Sequence, residues 1–445
     1  MRPNLARGAR FGRSVRSLSQ RFGWGVADQA LSSLTNFGLG LFAARSLPPA
    51  EFGAFALVFA GYLLALGTVR AVTSEPFVVR YAAVPGSEWR TGAAAATGGA
   101  LAVAALAGTS CVAASFFLQG SLRTGFLALG VTLPGLLLQD TWRFTFFAAR
   151  RGSSALINDL VWTVSLVVAL TIVLLSDLRS AGWLVLAWGA AGTVAGLVGA
   201  IQASTLPAPG RSLEWLRQQR DLIPRYFGEF SVTTVVGQVT TFALGAIAGL
   251  TEVGALRAGQ ILLGPLNVLF LGVNIVAVPE GVRALLDSSR RLLDACRRLS
   301  AFLATCALVV GALVWSVPDS IGTMLLRDNW AGARLVVVPL ALGMALFGLL
   351  LGAGVGLRSL AAARLSLRAK LLTAPLTLVG GVTGATVAGA VGAAWGTTLA
   401  VAIGVVIWWH YFHRGLRQHD QTASSAETAH ALRTPGPTTT GDTLA

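Results

Sequence analysis

Long apolar runs dominate this chain and leave it very few ways to fold. Each run holds about 18–25 residues and ends at charged residues or at Pro and Gly, which matches the roughly 20 residues that a helix needs to cross a bilayer. Only 12% of the 445 residues are charged, against roughly a quarter in soluble domains. We therefore expect an all-α polytopic membrane protein with about twelve transmembrane helices. The expected spans lie at approximately 24–44, 53–72, 92–118, 125–148, 155–176, 181–203, 226–250, 254–280, 299–317, 332–356, 371–390 and 393–412.

Basic residues are unevenly distributed between the loops. The chain has 34 Lys and Arg residues against 19 acidic ones, a net charge of +15, which on a soluble protein would suggest nucleic-acid binding. If the N-terminus is cytoplasmic, however, most of these residues fall in cytoplasmic loops, and this asymmetry is the pattern that sets the orientation of membrane proteins. We therefore expect both termini in the cytoplasm and no nucleic-acid partner.

The residues that carry most enzyme chemistry are poorly placed for it. All four His residues lie at or beyond the last expected span, and the three Cys residues have no paired spacing, so metal, Ser-His and Cys-His sites are not indicated. No glycine-rich phosphate loop follows a strand, which argues against a nucleotide-driven pump and against any cofactor. The loops are too short to hold a catalytic domain. The sequence therefore disfavours an enzyme.

Composition divides the chain into five parts, with six spans on each side of the central division. The stretch 37–60 resembles 242–263 once a few loop residues are omitted. Because six is an even number, both copies would enter the membrane from the same side, which fits a parallel pseudo-repeat of two six-helix lobes. The expected parts are a basic amphipathic cytoplasmic segment (1–22), an N-terminal six-helix lobe (23–203), a cytoplasmic linker (204–225), a C-terminal six-helix lobe (226–412) and a disordered cytoplasmic tail (413–445). A helix on the leaflet surface and a solvated tail both fit the first part.

Polar residues inside the spans form stripes. A charge in hydrocarbon costs at least ~2.5–3.5 kcal/mol, so each one should face the bundle interior, a partner or water. The first span carries Asp28 and Asn36 on one polar face, and the seventh span, its counterpart in the repeat, carries Glu229 on a similar face. Both lobes therefore begin with a helix that has one polar side.

The eighth span carries a longer stripe, made of Arg257, Gln260, Asn267 and Asn274 at spacings typical of one helical face. These side chains could bind substrate, or the two Asn residues could simply form hydrogen bonds between packed helices. Arg257, and Arg70 in the second span, are also close enough to the ends of their spans to extend to the membrane interface.

Three charges from three different spans share one depth. Counted at 1.5 Å per residue from the nearest cytoplasmic Arg, Asp28, Arg143 and Asp159 all lie about 10–12 Å into the membrane. Asp140 and Glu229 lie within a turn or so of this level. Arg143 could be held by Asp140 on its own helix or by Asp159 on the next. Such a cluster could serve transport or could only fix the packing of the helices.

Two stretches resemble a known family. They are WGVADQALSSLTNFGLGLFAARSLPPAEFGAFALVFAGY (24–62) and LLLQDTWRFTFFAARRG (136–152), and the segment from Ala44 to Gly53 is the most specific part. They look like the polysaccharide flippases of the O-antigen or capsule type, in the multidrug, oligosaccharidyl-lipid and polysaccharide exporter superfamily. The resemblance, which extends over 23–412, implies a MATE-like fold in a bacterial plasma membrane. It also implies two rocking lobes around a cavity whose basic residues attract the phosphate of a polyprenol-linked oligosaccharide.

Two functions from this superfamily remain open. The leading hypothesis is a flippase that moves a lipid-linked oligosaccharide from the inner to the outer leaflet for surface polysaccharide synthesis. Its expected partners are membrane lipids, a polysaccharide polymerase and glycosyltransferases. The alternative is a H⁺- or Na⁺-coupled multidrug antiporter, which the intramembrane acids suggest. The substrate-binding candidates are Arg143, Arg257, Arg70, Asn36, Gln260 and Asn267, and the candidates for ion coupling or for pairing with Arg are Asp28, Asp140, Asp159 and Glu229.

Overall fold

The computed structural model describes the backbone of residues 4–82, 84 and 86–431; the side chains of 4–22, 274–275, 423–424 and 426–431 are not among those described. All regular elements in this part of the chain are helices. They are α1 (Asn4–Ser46), α2 (Pro49–Val69), α3 (Glu75–Tyr81), α4 (Gly86–Ser115), α5 (Gly120–Ala148), α6 (Gly152–Leu175), α7 (Ala181–Ala203), α8 (Ser212–Gln218), α9 (Ile223–Phe230), α10 (Val236–Ala248), α11 (Leu250–Leu262), α12 (Gly264–Asp287), α13 (Ser289–Trp315), α14 (Asp319–Leu326), α15 (Asn329–Ser359) and α16 (Ala363–Ala431). Two π-helical turns, Arg70–Ser74 and Ser231–Val235, join α2 to α3 and α9 to α10, and a 3-10 turn, Pro209–Arg211, precedes α8.

Ten continuous helical segments in the described part of the chain are long and apolar enough to cross a bilayer. One of them, Ala363–Thr422, is interrupted by the non-helical residues Ala388 and Gly389 and therefore forms two arms. Together with α1, which packs against α6, these segments make an all-α bundle of the kind that the sequence predicts. The chain is a multi-pass membrane protein.

The sequence predicts the eighth span as a single helix over 254–280, whereas the structure divides this segment into two helices. The structure ends α11 at Leu262 and starts α12 at Gly264, with Pro265 in the first turn. Proline has no backbone N–H and disfavours helical geometry in the residue before it, so a new helix begins there more easily than the old one continues. The predicted stripe is consequently divided between two helices.

The surface that faces lipid is apolar and the interior carries the polar groups, as α6 shows. Val164, Val168 and Ile172 are each more than half exposed on one side of this helix, whereas Asn158 and Asp159 are buried on the other. In hydrocarbon an exposed apolar side chain costs nothing, while an exposed carboxylate is expensive. The side to which each polar residue points is therefore set by the lipid.

The helices form two groups that meet along α2 and α11. In the first group α5 packs on α4 and α7, and in the second α15 packs on α13 and α16. Between the groups the backbones of α2 and α11 approach so closely that a Cβ atom at Gly53 would overlap the carbonyl oxygen of Leu250. Only glycine permits this contact.

The same capping contact occurs once in each group. Glu51, at the start of α2, accepts a hydrogen bond of 2.8 Å from the backbone N–H of Ala181, at the start of α7. Glu252, at the start of α11, accepts one of 2.6 Å from Ala390, where the second arm of α16 begins. A carboxylate is favourable at a helix N-terminus because it satisfies an unpaired N–H and the helix dipole. The preceding residue, Gly389, has a φ of 54°, which glycine adopts without strain.

The predicted linker 204–225 is docked on the first group. The indole N–H of Trp215, in α8, donates to the carbonyl oxygen of Val72 over 3.0 Å, and its ring packs against Phe77 and Tyr81. Trp215 is fully buried. From the sequence, this stretch is predicted only as a linker and its anchor is not predicted, although a Trp in an Arg- and Pro-rich loop often marks such a contact.

Both predicted terminal segments are helical where the structure describes them. The backbone of α1 is continuous from Asn4, while the side chains on which the amphipathic pattern of 1–22 rests lie outside the described residues. The tail predicted to be disordered from 413 continues α16 to Ala431. Leu416 is buried beside Leu365, and Asp420 accepts a hydrogen bond of 2.5 Å from Ser289. These contacts anchor the part of the helix that follows the last expected span, and the polar composition of the tail does not predict them.

Candidate functional site

A buried charge cluster joins three helices of the first lobe. The guanidinium of Arg143, on α5, donates through Nε to Asp28 Oδ2 on α1 over 2.6 Å, and it lies 3.5 Å from Asp159 Oδ2 on α6. The side chains of Asp28, Asp159 and Arg143 are 0%, 1% and 11% exposed. The three residues that the sequence places at one depth are thus in direct contact.

A shell of amides holds this cluster in place. Gln139 Nε2 donates to Asp159 Oδ1 over 2.8 Å, and Asn158 Nδ2 donates to the carbonyl oxygen of Ala195 over 2.8 Å. Neither amide is among the site residues that were predicted from the sequence. The sequence feature that could have identified them is their position: Gln139 adjoins Asp140 and Asn158 adjoins Asp159, and each pair lies within an otherwise apolar run.

The cluster contains one more acid than base. Asp28 and Asp159 face a single guanidinium, and Asp28 Oδ1 and Asp159 Oδ2 are buried without a hydrogen-bond partner among the described residues. A buried carboxylate oxygen without a donor is unfavourable, and protonation of one acid removes both the excess charge and the missing bond. The cluster is therefore chemically suited to hold one proton.

Asp140 does not pair with Arg143, contrary to one of the two predicted arrangements. Arg70, in the π-helical turn after α2, binds Asp140 through two hydrogen bonds, Nε to Oδ2 at 2.9 Å and Nη2 to Oδ1 at 2.6 Å. Asp140 and Arg143 are three residues apart on α5, but the first points towards α2 and the second towards α1 and α6. The same bidentate pair gives Arg70 a partner inside the bundle, whereas the sequence also allowed it to extend to the membrane interface.

Arg257 occupies a different environment, between the two lobes. Its guanidinium carbon lies 4.8 Å from the centre of the Phe59 ring on α2, and its Nη1 is 3.5 Å from Gln260 Oε1. Its Nε is buried without a partner, and Arg257 forms no ion pair with any residue that the structure describes. With Gln238 and Thr241 of α10 it lines a cavity of about 60 Å³ between α2, α10 and α11.

The remaining candidates are dispersed. Asn36 donates to the carbonyl oxygen of Ser32 over 2.8 Å on its own helix. Asn267, beyond the break after α11, is exposed, whereas Gln260 reaches the interlobe cavity; the side chain of Asn274 lies outside the described residues. Glu229 belongs to the other lobe, where its Oε1 is 3.2 Å from Lys370 Nζ.

The end of the bundle where α1 finishes is closed between the lobes. Asn329, at the start of α15, donates to the carbonyl oxygens of Ala44 and Leu47 over 2.7 and 2.9 Å. It is 2% exposed, and the contact of Gly53 with Leu250 lies at the same end. The cavity at Arg257 is therefore sealed from this side by direct contacts between the lobes.

Solved structures of other proteins share this arrangement. The inward-facing structure of a multidrug resistance MATE family transporter of the MOP superfamily aligns with a TM-score of 0.69 and 13% sequence identity, covering 89% of this chain and 99% of that one. The inward closed structure of the lipid II flippase MurJ aligns with a TM-score of 0.66 and 12% identity, covering 89% and 90%. The outward-facing structure of a MATE family transporter of the MOP superfamily scores 0.55 at 13% identity, covering 89% and 94%. No family model and no curated protein sequence matches the chain.

The chain has the fold of MATE transporters and MurJ. The proteins it resembles are transporters and a flippase rather than enzymes. At 12–13% identity the resemblance shows the fold, and the choice of substrate has to be argued from the residues of this chain.

Proposed function

We propose that the protein is a flippase that moves the headgroup of a polyprenyl-phosphate-linked oligosaccharide across the membrane by alternating access between its two lobes. The proposal rests on the observation that Arg257 has no carboxylate partner among the described residues. Of the three arginines expected inside the spans, Arg70 and Arg143 are each paired with carboxylates, and Arg257 is not. A half-buried guanidinium without a carboxylate partner, facing a cavity between the lobes, is the group that a phosphate would bind.

The membrane potential can drive such a movement. With the cytoplasm negative, outward transfer of a doubly negative pyrophosphate is favourable by about 2.3 kcal/mol per charge per 100 mV, or roughly 4–5 kcal/mol in all. The polyprenyl tail need not leave the hydrocarbon, so only the polar headgroup requires a protein path. No nucleotide is needed for this step.

The cluster of Asp28, Arg143 and Asp159 supplies the return step in this proposal. A proton bound there when the cavity faces outward would be released when it faces inward, and its uptake would favour one arrangement of α1, α5 and α6. Asn36, Gln260 and Asn267 would not bind the phosphate in this proposal; their contribution would be limited to contacts with the glycan. In this proposal the protein lies in a bacterial plasma membrane with both termini in the cytoplasm, near the polymerase and glycosyltransferases that use the same lipid-linked sugars.

A proton-coupled multidrug antiporter is the second candidate. The excess acid in the first lobe favours it, since a cationic drug and a proton could compete for the same carboxylates. Arg257 argues against it, because an unpaired guanidinium in the interlobe cavity would repel a cation.

The decisive test is the substitution Arg257→Gln. We expect flipping of a lipid-linked oligosaccharide in proteoliposomes, and surface polymer in a deletion strain, to fall at least about tenfold. Stability should change little, because Arg257 has no ion pair to lose. Arg283→Gln is the matched control, since Arg283 is 72% exposed and pairs only with Glu280 on its own helix.

Normal polymer at normal protein level with Arg257→Gln would refute the assigned role. A deletion strain with unchanged polymer but greater sensitivity to cationic drugs would instead establish the antiporter.

A further inference from the structure

A second cavity lies inside the C-terminal lobe, away from the interlobe site. It has a volume of about 580 Å³, is partly open to the surface and is lined by α9, α10, α15 and both arms of α16. That volume is in the range of about 300–1,000 Å³ that is typical of small-molecule sites. The proposed flippase mechanism does not use it.

The cavity has a charged end and an apolar end. Glu229, Arg358, Ser366 and Lys370 line one end, and Phe347 with neighbouring Leu and Val residues lines the other. Phe347 precedes Arg358 by eleven residues on α15, so the two ends are about 16 Å apart at 1.5 Å per residue. The charged end lies near the end of α15 at Ser359 and the start of α16 at Ala363.

Cations outnumber carboxylates at the charged end. Lys370 Nζ lies 3.2 Å from Glu229 Oε1, in a pair whose side chains are 31% and 64% exposed. Arg358 donates through Nε to the carbonyl oxygen of Gly354 over 3.2 Å and forms no ion pair with any described residue. One guanidinium is therefore free to bind an anion, and the ammonium is only loosely held.

The charges at this end differ from those at the equivalent positions of the first lobe. Glu229 precedes Glu252 by 23 residues, as Asp28 precedes Glu51, and Lys370 is the eighth residue of α16, as Asp159 is of α6. A cation thus stands where the first lobe has an acid. The acid-rich site suited to a proton in one lobe has become a site of net positive charge, beside open space, in the other.

We propose that this cavity binds a phosphate-bearing lipid, with the phosphate held by Arg358 and Lys370 and the hydrocarbon chain extending towards Phe347. Two cations with hydrogen-bond donors nearby suit a phosphate ester. The apolar depth suits a chain and offers nothing to a free anion. This site is independent of which lipid the interlobe cavity transports.

Binding is measured on the purified full-length protein in an uncharged detergent, with three probes. Short-chain phosphatidic acid has both parts of the proposed ligand, short-chain diacylglycerol lacks the phosphate, and inorganic phosphate lacks the chains. We expect phosphatidic acid to bind at least about tenfold more tightly than either of the others. Equal binding of diacylglycerol would overturn the role of the cations, and equal binding of inorganic phosphate would overturn the lipid as the source.

Substitutions at the ion pair separate a binding role from a structural one. Arg358→Gln and Lys370→Gln should each weaken binding of phosphatidic acid by about tenfold. Glu229→Gln should strengthen it, by up to about fivefold, because it removes the competing carboxylate and frees Lys370. If the ion pair between Glu229 and Lys370 only held α9 against α16, Glu229→Gln and Lys370→Gln would both weaken the binding of phosphatidic acid. That result would overturn the proposal.

Arg368→Gln is the matched control. Arg368 is exposed two residues before Lys370 on the same helix and does not line the cavity, so its substitution should leave the affinity for phosphatidic acid unchanged. A loss as large as that of Lys370→Gln would show that nonspecific surface charge, and not the cavity, attracts the lipid. Because none of these measurements involves flipping, their failure would leave the proposed transport function standing, and the reverse also holds.

Discussion

The two lobes place their charges in opposite ways. In the first lobe, Asp28, Arg143 and Asp159 are in contact and almost completely buried. At the corresponding depth of the second lobe, Glu229 and Lys370 form a looser pair that borders a cavity and is partly exposed. A repeated scaffold can therefore hold a closed charge cluster in one copy and an open binding site in the other, because a few side chains decide between them.

The difference has a simple energetic origin. A buried ion pair is strongly interdependent, since loss of one partner leaves an uncompensated charge in a poorly solvated place. An exposed pair can exchange its partner for water or for a ligand at little cost. Rigidity at Arg143 and adaptability at Lys370 both follow from how much water reaches each group.

The largest expected effect tests whether the buried charges of the first lobe matter more for stability than the exposed pair of the second. Arg143→Ala should lower the free energy of unfolding by about 3–5 kcal/mol, because it leaves two buried carboxylates without a cation. Lys370→Ala, in the looser and partly exposed pair of the second lobe, should lower it by less than about 1 kcal/mol. Denaturant titration in detergent micelles measures both.

A second substitution tests the cause. Asp28→Asn added to Arg143→Ala should restore part of the lost stability, because it removes one of the uncompensated charges. Equal effects at Arg143 and Lys370, or no recovery in the double variant, would show that burial does not distinguish the lobes in the way described.

An intermediate effect is expected where the lobes are alike. Glu51→Gln and Glu252→Gln should each destabilise the protein by about 1 kcal/mol, because each removes a charged acceptor from a helix N-terminus. The loss at Glu51 should be the larger in the same unfolding measurement, because Glu51 Oε1 also accepts a hydrogen bond from the hydroxyl of Ser121. Glu214→Gln, on the exposed side of α8, serves as the control and should have almost no effect. No loss at either position, or a clearly larger loss at Glu252 than at Glu51, would contradict the role given to these two capping contacts.

The smallest effect concerns a charge that the second lobe keeps at its surface. Asp319 accepts a hydrogen bond of 2.8 Å from the indole of Trp330 and pairs with Arg334, and these contacts lower the pKa of its carboxyl group. A lowered pKa contributes stability that is present above the ordinary pKa of Asp and is lost as the pH falls through the lowered value.

Asp319→Asn should therefore reduce the melting temperature slightly at pH 7, and the difference from the unsubstituted protein should shrink as the pH falls below 4. High salt should weaken the effect, as for any exposed pair. Asp328→Asn, in the same loop, is the control. A difference that grows as the pH falls would mean that the sign of the pKa shift is wrong.

Much of the architecture follows from the sequence alone. The long apolar runs predict the helical bundle, because hydropathy is local to each run and lipid permits almost no other fold. The weak match between 37–60 and 242–263 contains Glu51 and Glu252, and the structure gives these residues the same role. The common depth of Asp28, Arg143 and Asp159 is likewise a matter of counting residues along three helices.

The partners of the charges were decided only by the tertiary structure. Asp140 has Arg143 within one turn of its own helix, yet it binds Arg70 from α2. Lys370 stands alone in the sequence, and its partner Glu229 is 141 positions away. Position along a helix sets only the direction of a side chain, whereas the helix that lies in that direction depends on how every span packs. The sequence therefore determines which groups must be shielded from lipid, and packing determines which of them shield one another.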